Sequence, residues 1–213
     1  DKVLEYPNNK YSEDAMLMGA EMAYTAKDYE KALHIYKQLK DKAASMERRQ
    51  LAKTGMLRSA HMLGNEEEII FTATDLLADT KLAPELSNEA HYYRAKAYLD
   101  AGKTDGAMED LKILAKDTRN VYGAEAKYKV AQIYFDGGQT DKAEQEVLNY
   151  IEVSTPHTYW LARSFVLLAD VYMKSGRNLD AKQYLLSLKQ NYQADDDIAG
   201  MIESRLEKLK TEN

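Results

Sequence analysis

The chain has no cysteine, only three prolines, ten glycines, three phenylalanines and one tryptophan. Without cysteine there is no disulfide, no thiol catalysis and no Cys-ligated zinc. The compartment stays open, since cytosolic and envelope proteins alike can lack the residue. So few glycines and prolines exclude collagen, low-complexity disorder and a glycine-hinged β-sandwich. No run of about 18 apolar residues is present to span a membrane. A long basic run is also missing, and the formal net charge is −6. Nucleic acid is therefore not an expected partner, because phosphate contact needs a basic face.

What is present is 45% hydrophobic and 30% charged residues over 213 positions, with tyrosine common at 16. That length suits one or two domains. None of the motifs that carry chemistry is found. His34, His61, His91 and His157 stand in no HExxH or HxH spacing. Glu66-Glu67-Glu68 and Asp195-Asp196-Asp197 fall at expected helix starts, where the helix dipole accounts for them. Neither run has the alternating oxygen spacing of a calcium loop. Gly137-Gly138 lacks the Lys-Ser/Thr of a phosphate loop, and there is no Gly-x-Ser-x-Gly elbow. The expectation is a chain with no catalytic, cofactor or metal site, and not an enzyme. The nine methionines read as core filler.

A repeat dominates the chain. Lys27, Gly64, Gly102, Gly138 and Gly176 each open a Gly-x-x-x-x-Ala-like segment, at steps of 37, 38, 36 and 38 residues. Segment ends are Ala32, Ile69, Ala107, Ala143 and Ala181. Seven residues before each opening stand Ala20, Leu57, Ala95, Ala131 and Ala169; four before stand Ala23, Ala60, Tyr98, Tyr134 and Tyr172. Nine after stand Tyr36, Ala73, Leu111, Val147 and Leu185; twelve after stand Leu39, Leu76, Leu114, Tyr150 and Leu188. Spacings of three and four place these columns on helical faces. Each unit is helix, turn, helix. The glycine takes a left-handed cap, and the Asp, Asn or Thr that follows caps the second helix. The alanine columns are small because two helices cross closely there.

The expected units are 12–46, 47–84, 85–119, 120–156 and 157–194, with a capping helix over 195–213. Pro7, Pro84 and Pro156 fall between units or at their edges. Tyr6 to Ala15 reads as the tail of a preceding unit, with Ser12 as N-cap. The start at Asp1 reads as a fragment or processed chain, so further repeats and any targeting segment are expected upstream. Asp195 to Asp197 lead into an amphipathic stretch from Ile198 to Leu209, the solubilising end that repeat arrays require.

These units resemble the tetratricopeptide repeat family, whose unit is a 34-residue helix–turn–helix. Lys27 to Ala32 reproduces the family's Gly-Asp-Tyr-Glu-Lys-Ala-like turn except for its glycine. The longer period and the degenerate second unit, with Leu57 and Ile69 in small-residue columns, depart from the pattern. The resemblance implies an all-α, right-handed α-solenoid of about five repeats. It implies a non-enzymatic scaffold that binds a protein or peptide in its concave groove. Tyr6-Pro7-Asn8, Ala124 to Tyr128 and Ala162-Arg163-Ser164 are similar to envelope-associated repeats of the Tol–Pal accessory and outer-membrane-assembly lipoprotein type. That similarity implies a periplasmic or envelope setting; the residues leave the cytoplasm open.

The family's groove positions lie 13, 10, 6 and 3 residues before the turn. They fall on Asp14, Leu17, Glu21 and Tyr24, then on Leu51, Thr54 and Arg58, with Met62 taken two residues before the turn in the second unit. In the third unit they are Glu89, Tyr92, Lys96 and Leu99. In the fourth they are Glu125, Tyr128, Gln132 and Phe135, and in the fifth Arg163, Val166, Asp170 and Met173. Arg58, Tyr92, Lys96, Tyr128, Gln132 and Phe135 are the expected partner-binding set. Rings supply buried area and polar groups fix a backbone. Tyr92 and Tyr128 also admit a second reading, as packing between units. Tyr159 and Trp160 read either as an exposed patch or as packing on the preceding unit. The family's clamp for chaperone C-termini is not found. The alternative to a scaffold is a structural spacer or self-association module, with a second copy of the chain as partner. A catalytic or carbohydrate-processing domain would need a deep pocket with paired carboxylates, which the register does not offer.

Overall fold

The computed structural model describes residues 12–211. Pro7 and the segment before Ser12 lie outside them, as do Glu212 and Asn213. Eleven α-helices and no strand occur among the described residues. They are α1 (Ser12–Thr25), α2 (Tyr29–Lys42), α3 (Met46–Leu63), α4 (Glu66–Leu77), α5 (Pro84–Asp100), α6 (Thr104–Leu114), α7 (Val121–Asp136), α8 (Thr140–Ile151), α9 (Thr158–Lys174), α10 (Asn178–Asn191) and α11 (Ile198–Thr211). The fold is all-α and built of helix hairpins closed by a terminal helix. The chain divides into two compact units, Asp1–Asp110 and Leu111–Asn213. The division falls inside α6.

The five hairpin turns share one backbone geometry. Lys27, Gly64, Gly102, Gly138 and Gly176 all have φ between 62° and 74°. That left-handed residue suits glycine and strains a side chain. Lys27 adopts it nonetheless, because the turn around it is closed twice. The Lys27 N–H donates to the Tyr24 carbonyl and the Asp28 N–H to the Ala23 carbonyl, both at 2.9 Å. The six-residue bond recurs from Asn65 to Ala60, Lys103 to Tyr98, Gln139 to Tyr134 and Arg177 to Tyr172. These are the reciprocal bonds that satisfy a helix's last carbonyls.

This geometry bears out the capping expectation in the first two hairpins and corrects it in the last two. The N-cap is the residue directly after the left-handed one, whatever its type. Asp28 and Asn65 stand there and accept from the N–H of Lys31 and Glu68. In the last two hairpins the position holds Gln139 and Arg177, which make no side-chain cap bond. Thr140 and Asn178 already lie inside their helices.

The repeat columns form the core. Ala20, Leu57, Ala131, Ala169, Ala32, Ala107, Ala143 and Ala181 are each 0% exposed. In the first unit of the chain, Ala20, Ala32, Tyr36 and Met56 form one cluster and Leu57, Ala73, Leu76 and Ala90 another. In the second, α7 to α11 share a continuous core that includes Ala131, Ala143, Val147, Leu168, Leu185 and Ile202. The α11 residues Ile198, Ile202, Leu206 and Leu209 bury the end of that core. Ala143→Leu would lower stability by about 1–3 kcal/mol, because the added methylenes have no space between crossing helices. A urea melt with an unmoved midpoint would remove the close-crossing assignment.

Candidate functional site

In the first unit, residues spaced on one face of α1 and one face of α3 meet around a cavity of ≈ 430 Å³. Leu17, Glu21 and Tyr24 line it from α1, and Leu51, Thr54 and Arg58 from α3. Spacings of three and four residues bring each trio onto one helix face. These six are groove positions named from the sequence. Tyr36, Gly55 and Thr25 complete the lining and were not among them. Tyr36 carried a core signal, from the column nine residues after the turn. Gly55 carried no signal beyond being a glycine inside a helix. A Cβ at Gly55 would land on the Tyr36 ring, so its absence lets the ring lie against α3 as the cavity floor.

The electrostatics of the cavity are set by Glu21 and Arg58. Arg58 Nε and Nη2 donate to the two carboxylate oxygens of Glu89 on α5, at 2.7 and 2.8 Å. That fork geometry holds both groups in place. Burial pushes the Tyr36 phenol above its ordinary pKa; the Glu21 charge adds to the rise and Arg58 opposes it. Burial also raises the Tyr24 phenol. Both hydroxyls therefore stay protonated at neutral pH. The Tyr24 ring meets Tyr29 edge-on, at 5.2 Å between centroids. Asp14 sits apart from the cavity lining and accepts from Arg48 at 2.6 Å.

Tyr92 and Lys96 on α5 do not line this cavity. Tyr92 is half-buried, and Lys96 is exposed with its ammonium 5.9 Å from the Tyr92 centroid. The neighbouring Tyr93 stacks on His61 at 4.1 Å.

In the second unit of the chain, Tyr128 is only 5% exposed, and its ring packs 5.6 Å from that of Trp160. Its hydroxyl donates to Gln132 Oε1 at 2.9 Å and accepts from Arg163 Nη2 at 3.1 Å. Gln132 donates in turn to Asp136 at 2.8 Å. Arg163 also donates to the Tyr159 hydroxyl at 3.0 Å. Burial works against the Arg163 charge, but the hydrogen bonds it donates to two phenol oxygens outweigh it and raise its pKa. Phe135 is half-buried under the Lys174 ammonium, 4.9 Å from its centroid. Val166 is buried, and Asp170 pairs with Arg205 at 2.7 and 2.8 Å. Tyr159 and Trp160 pack on the core of this unit rather than forming an exposed patch. The structure thus groups Tyr128 and Gln132 in one network, sets Phe135 beside Lys174, and leaves Arg58 in the other unit's cavity.

Among the described residues no group of three His, Asp or Glu side chains is placed to hold a metal ion. No described helix is long and apolar enough to cross a membrane. His91 Nδ1 lies 2.7 Å from Asp110, but that carboxylate is 1% exposed and is also gripped by Arg94. The pair is a structural tie with no open position for a reacting group. The cavity of the first unit offers rings, hydroxyls, one carboxylate and one guanidinium, which suits noncovalent recognition.

A tetratricopeptide repeat model matches residues 89–117. A search of curated protein sequences gave no match. Among solved structures, the chain is similar to the MamA protein at 16% identity and a TM-score of 0.65, over 87% of this chain and 98% of that one. It is similar to YrrB, described as a TPR protein with an unusual peptide-binding site, at 15% identity and a TM-score of 0.63, over 90% and 92% of the two chains. It is also similar to the nearly identical TPR-like repeats of a putative kinesin light chain from Podosopora anserina, at 18% identity and a TM-score of 0.58, over 86% and 96%. These matches support a tetratricopeptide-type repeat fold.

Proposed function

We propose that the chain is a non-enzymatic interaction scaffold that holds an extended protein segment against the first helices of its hairpins. The observation that carries this is the ≈ 430 Å³ cavity of the first unit, lined by six of the positions that the family resemblance implies for a groove. Tetratricopeptide folds generally serve as protein-interaction scaffolds, and a peptide-binding site is described for the similar YrrB. Binding here is burial in a preformed site: Leu17, Leu51 and Tyr24 offer area, while Glu21 and Arg58 fix polar groups. Selection of a random 12-residue peptide library on the immobilised chain tests it. Leu51 is 52% exposed, so Leu51→Trp plugs the cavity mouth without entering the core. The selected peptides should bind that variant at least about tenfold more weakly. Equal binding to both proteins removes the cavity from the interaction.

One observation favours the spacer or self-association reading. Met18 and Met22 on α1 are 62% and 71% exposed and border an open depression with Glu21, Thr25 and Ala26. Sedimentation velocity across a concentration series checks this. A mass that rises with concentration, and no longer rises in Met18→Glu/Met22→Glu, would establish self-association through α1. The envelope setting belongs to the same proposal and rests on the repeat phrases alone. Fractionation of cells carrying the tagged full-length protein decides it, and signal confined to the cytosol removes it.

A further inference from the structure

We infer that the cavity of the first unit is a receptor for a basic side chain, the lysine or arginine of an extended protein segment. This rests on the scaffold reading and names the chemistry of its anchor. Two charged side chains line the cavity, Glu21 and Arg58. The Arg58 charge is already matched by Glu89, which accepts from Nε and Nη2, so the pair adds no net charge at the cavity. Glu89, with a side chain 12% exposed, is neutralised by the same fork. Glu21 is exposed and makes no ion pair among the described residues. The balance left at the cavity is therefore one unmatched negative charge.

The remaining walls suit a long cationic side chain. Leu17, Leu51 and the Tyr24 ring offer apolar contact to its methylene stem, leaving the charged head toward polar groups. The Tyr24 and Tyr36 phenols keep their protons, so their oxygens accept as well as donate. An ammonium or guanidinium can thus meet a carboxylate, phenol oxygens and an aromatic face together. A carboxylate ligand would instead lie beside the Glu21 charge and meet a guanidinium that Glu89 already neutralises. The net charge of −6 further favours the approach of a basic segment.

The test uses the same 12-residue library on three forms of the full chain: wild type, Glu21→Gln and Glu21→Lys. Glu21 is exposed, and coincident thermal melts of the three forms confirm intact folds. The expected result is enrichment of Lys or Arg at one position on wild type. The selected peptides then bind Glu21→Gln about tenfold more weakly, and binding weakens as ionic strength rises. Glu21→Lys should select acidic residues at that position. Peptides that Leu51→Trp rejects but that show no basic preference, or ignore Glu21, overturn the inference and leave the scaffold reading standing. Peptides that bind Leu51→Trp as well as wild type, or a library that yields no binder, overturn both.

Discussion

Asp110→Ala lowers the stability of the protein by about 3–5 kcal/mol at neutral pH. Asp110 is 1% exposed on α6, and three donors converge on it from α5. Arg94 Nε and Nη2 donate at 2.8 and 2.7 Å, and His91 Nδ1 lies at 2.7 Å. Arg94 Nη1 reaches on to the Thr74 hydroxyl of α4 at 2.9 Å. The Asp110–Arg94 pair therefore ties three successive helices. Removing the carboxylate leaves a mostly buried guanidinium without its counter-charge, which costs far more than losing a surface pair.

The same site predicts the direction of an acid response. Burial raises the Asp110 pKa, but hydrogen bonds and charge from Arg94 and His91 outweigh it, and the net shift is downward. A carboxylate lowered in the folded state binds protons more readily when unfolded. Its contribution is then fully present above the ordinary carboxylate range and is lost as pH falls through and below that range. Urea melts of wild type and Asp110→Ala at pH 7 and at decreasing acid pH should converge as pH drops. A gap that stays constant with pH, or midpoints that coincide at pH 7, would refute the assignment.

Gly123→Ala is expected to destabilise by about 3 kcal/mol, although alanine favours a helix over glycine by about 1 kcal/mol. Gly123 lies in the first turn of α7. A Cβ there would collide with the carbonyl oxygens of Asp117 and Leu114, which are backbone and cannot rotate away. The Asp117 carbonyl is further pinned, since it accepts from Asn120 Nδ2 at 2.9 Å. Asn120 is also the N-cap of α7 and accepts from the Gly123 N–H at 2.8 Å. Moving the loop to admit a methyl would break this cap, worth about 0.5–2 kcal/mol. Gly200 in α11 is the control, because nothing lies within 4 Å of a Cβ there. Gly200→Ala should be neutral or stabilising by up to about 1 kcal/mol. Calorimetric melts that shift the same way for both variants would show that helix propensity, not the collision, decides.

The contrast between these two glycines marks what periodicity could reveal. The turn residues at 27, 64, 102, 138 and 176 announce themselves by recurrence, and all five take the left-handed conformation. Columns such as Ala20 to Ala169 and Leu39 to Leu188 recur for the same reason, since stacked hairpins repeat their burial. That each trio on α1 and α3 shares one helix face follows from spacing, whereas its reading as a groove came from the family resemblance. Tyr128 was not resolved by spacing. Its position could serve a groove or a core, and only the neighbouring Trp160 and Arg163 make it a buried ring with a polar end. Arg58 is a groove position in the sequence reading, and its pairing with Glu89, 31 residues on, carries no sequence signal.

The amino-acid sequence by itself determined the helical class, the hairpin turns and the faces that face inward. Those depend on local geometry and on a pattern that repeats, and both are written in residue order. The tertiary structure alone decided which charges are matched, where a ring needs a glycine opposite it, and which ion pair ties three helices. Such features come from single, unrepeated contacts between residues far apart in the chain. No period encodes them, because each exists only once the hairpins have packed.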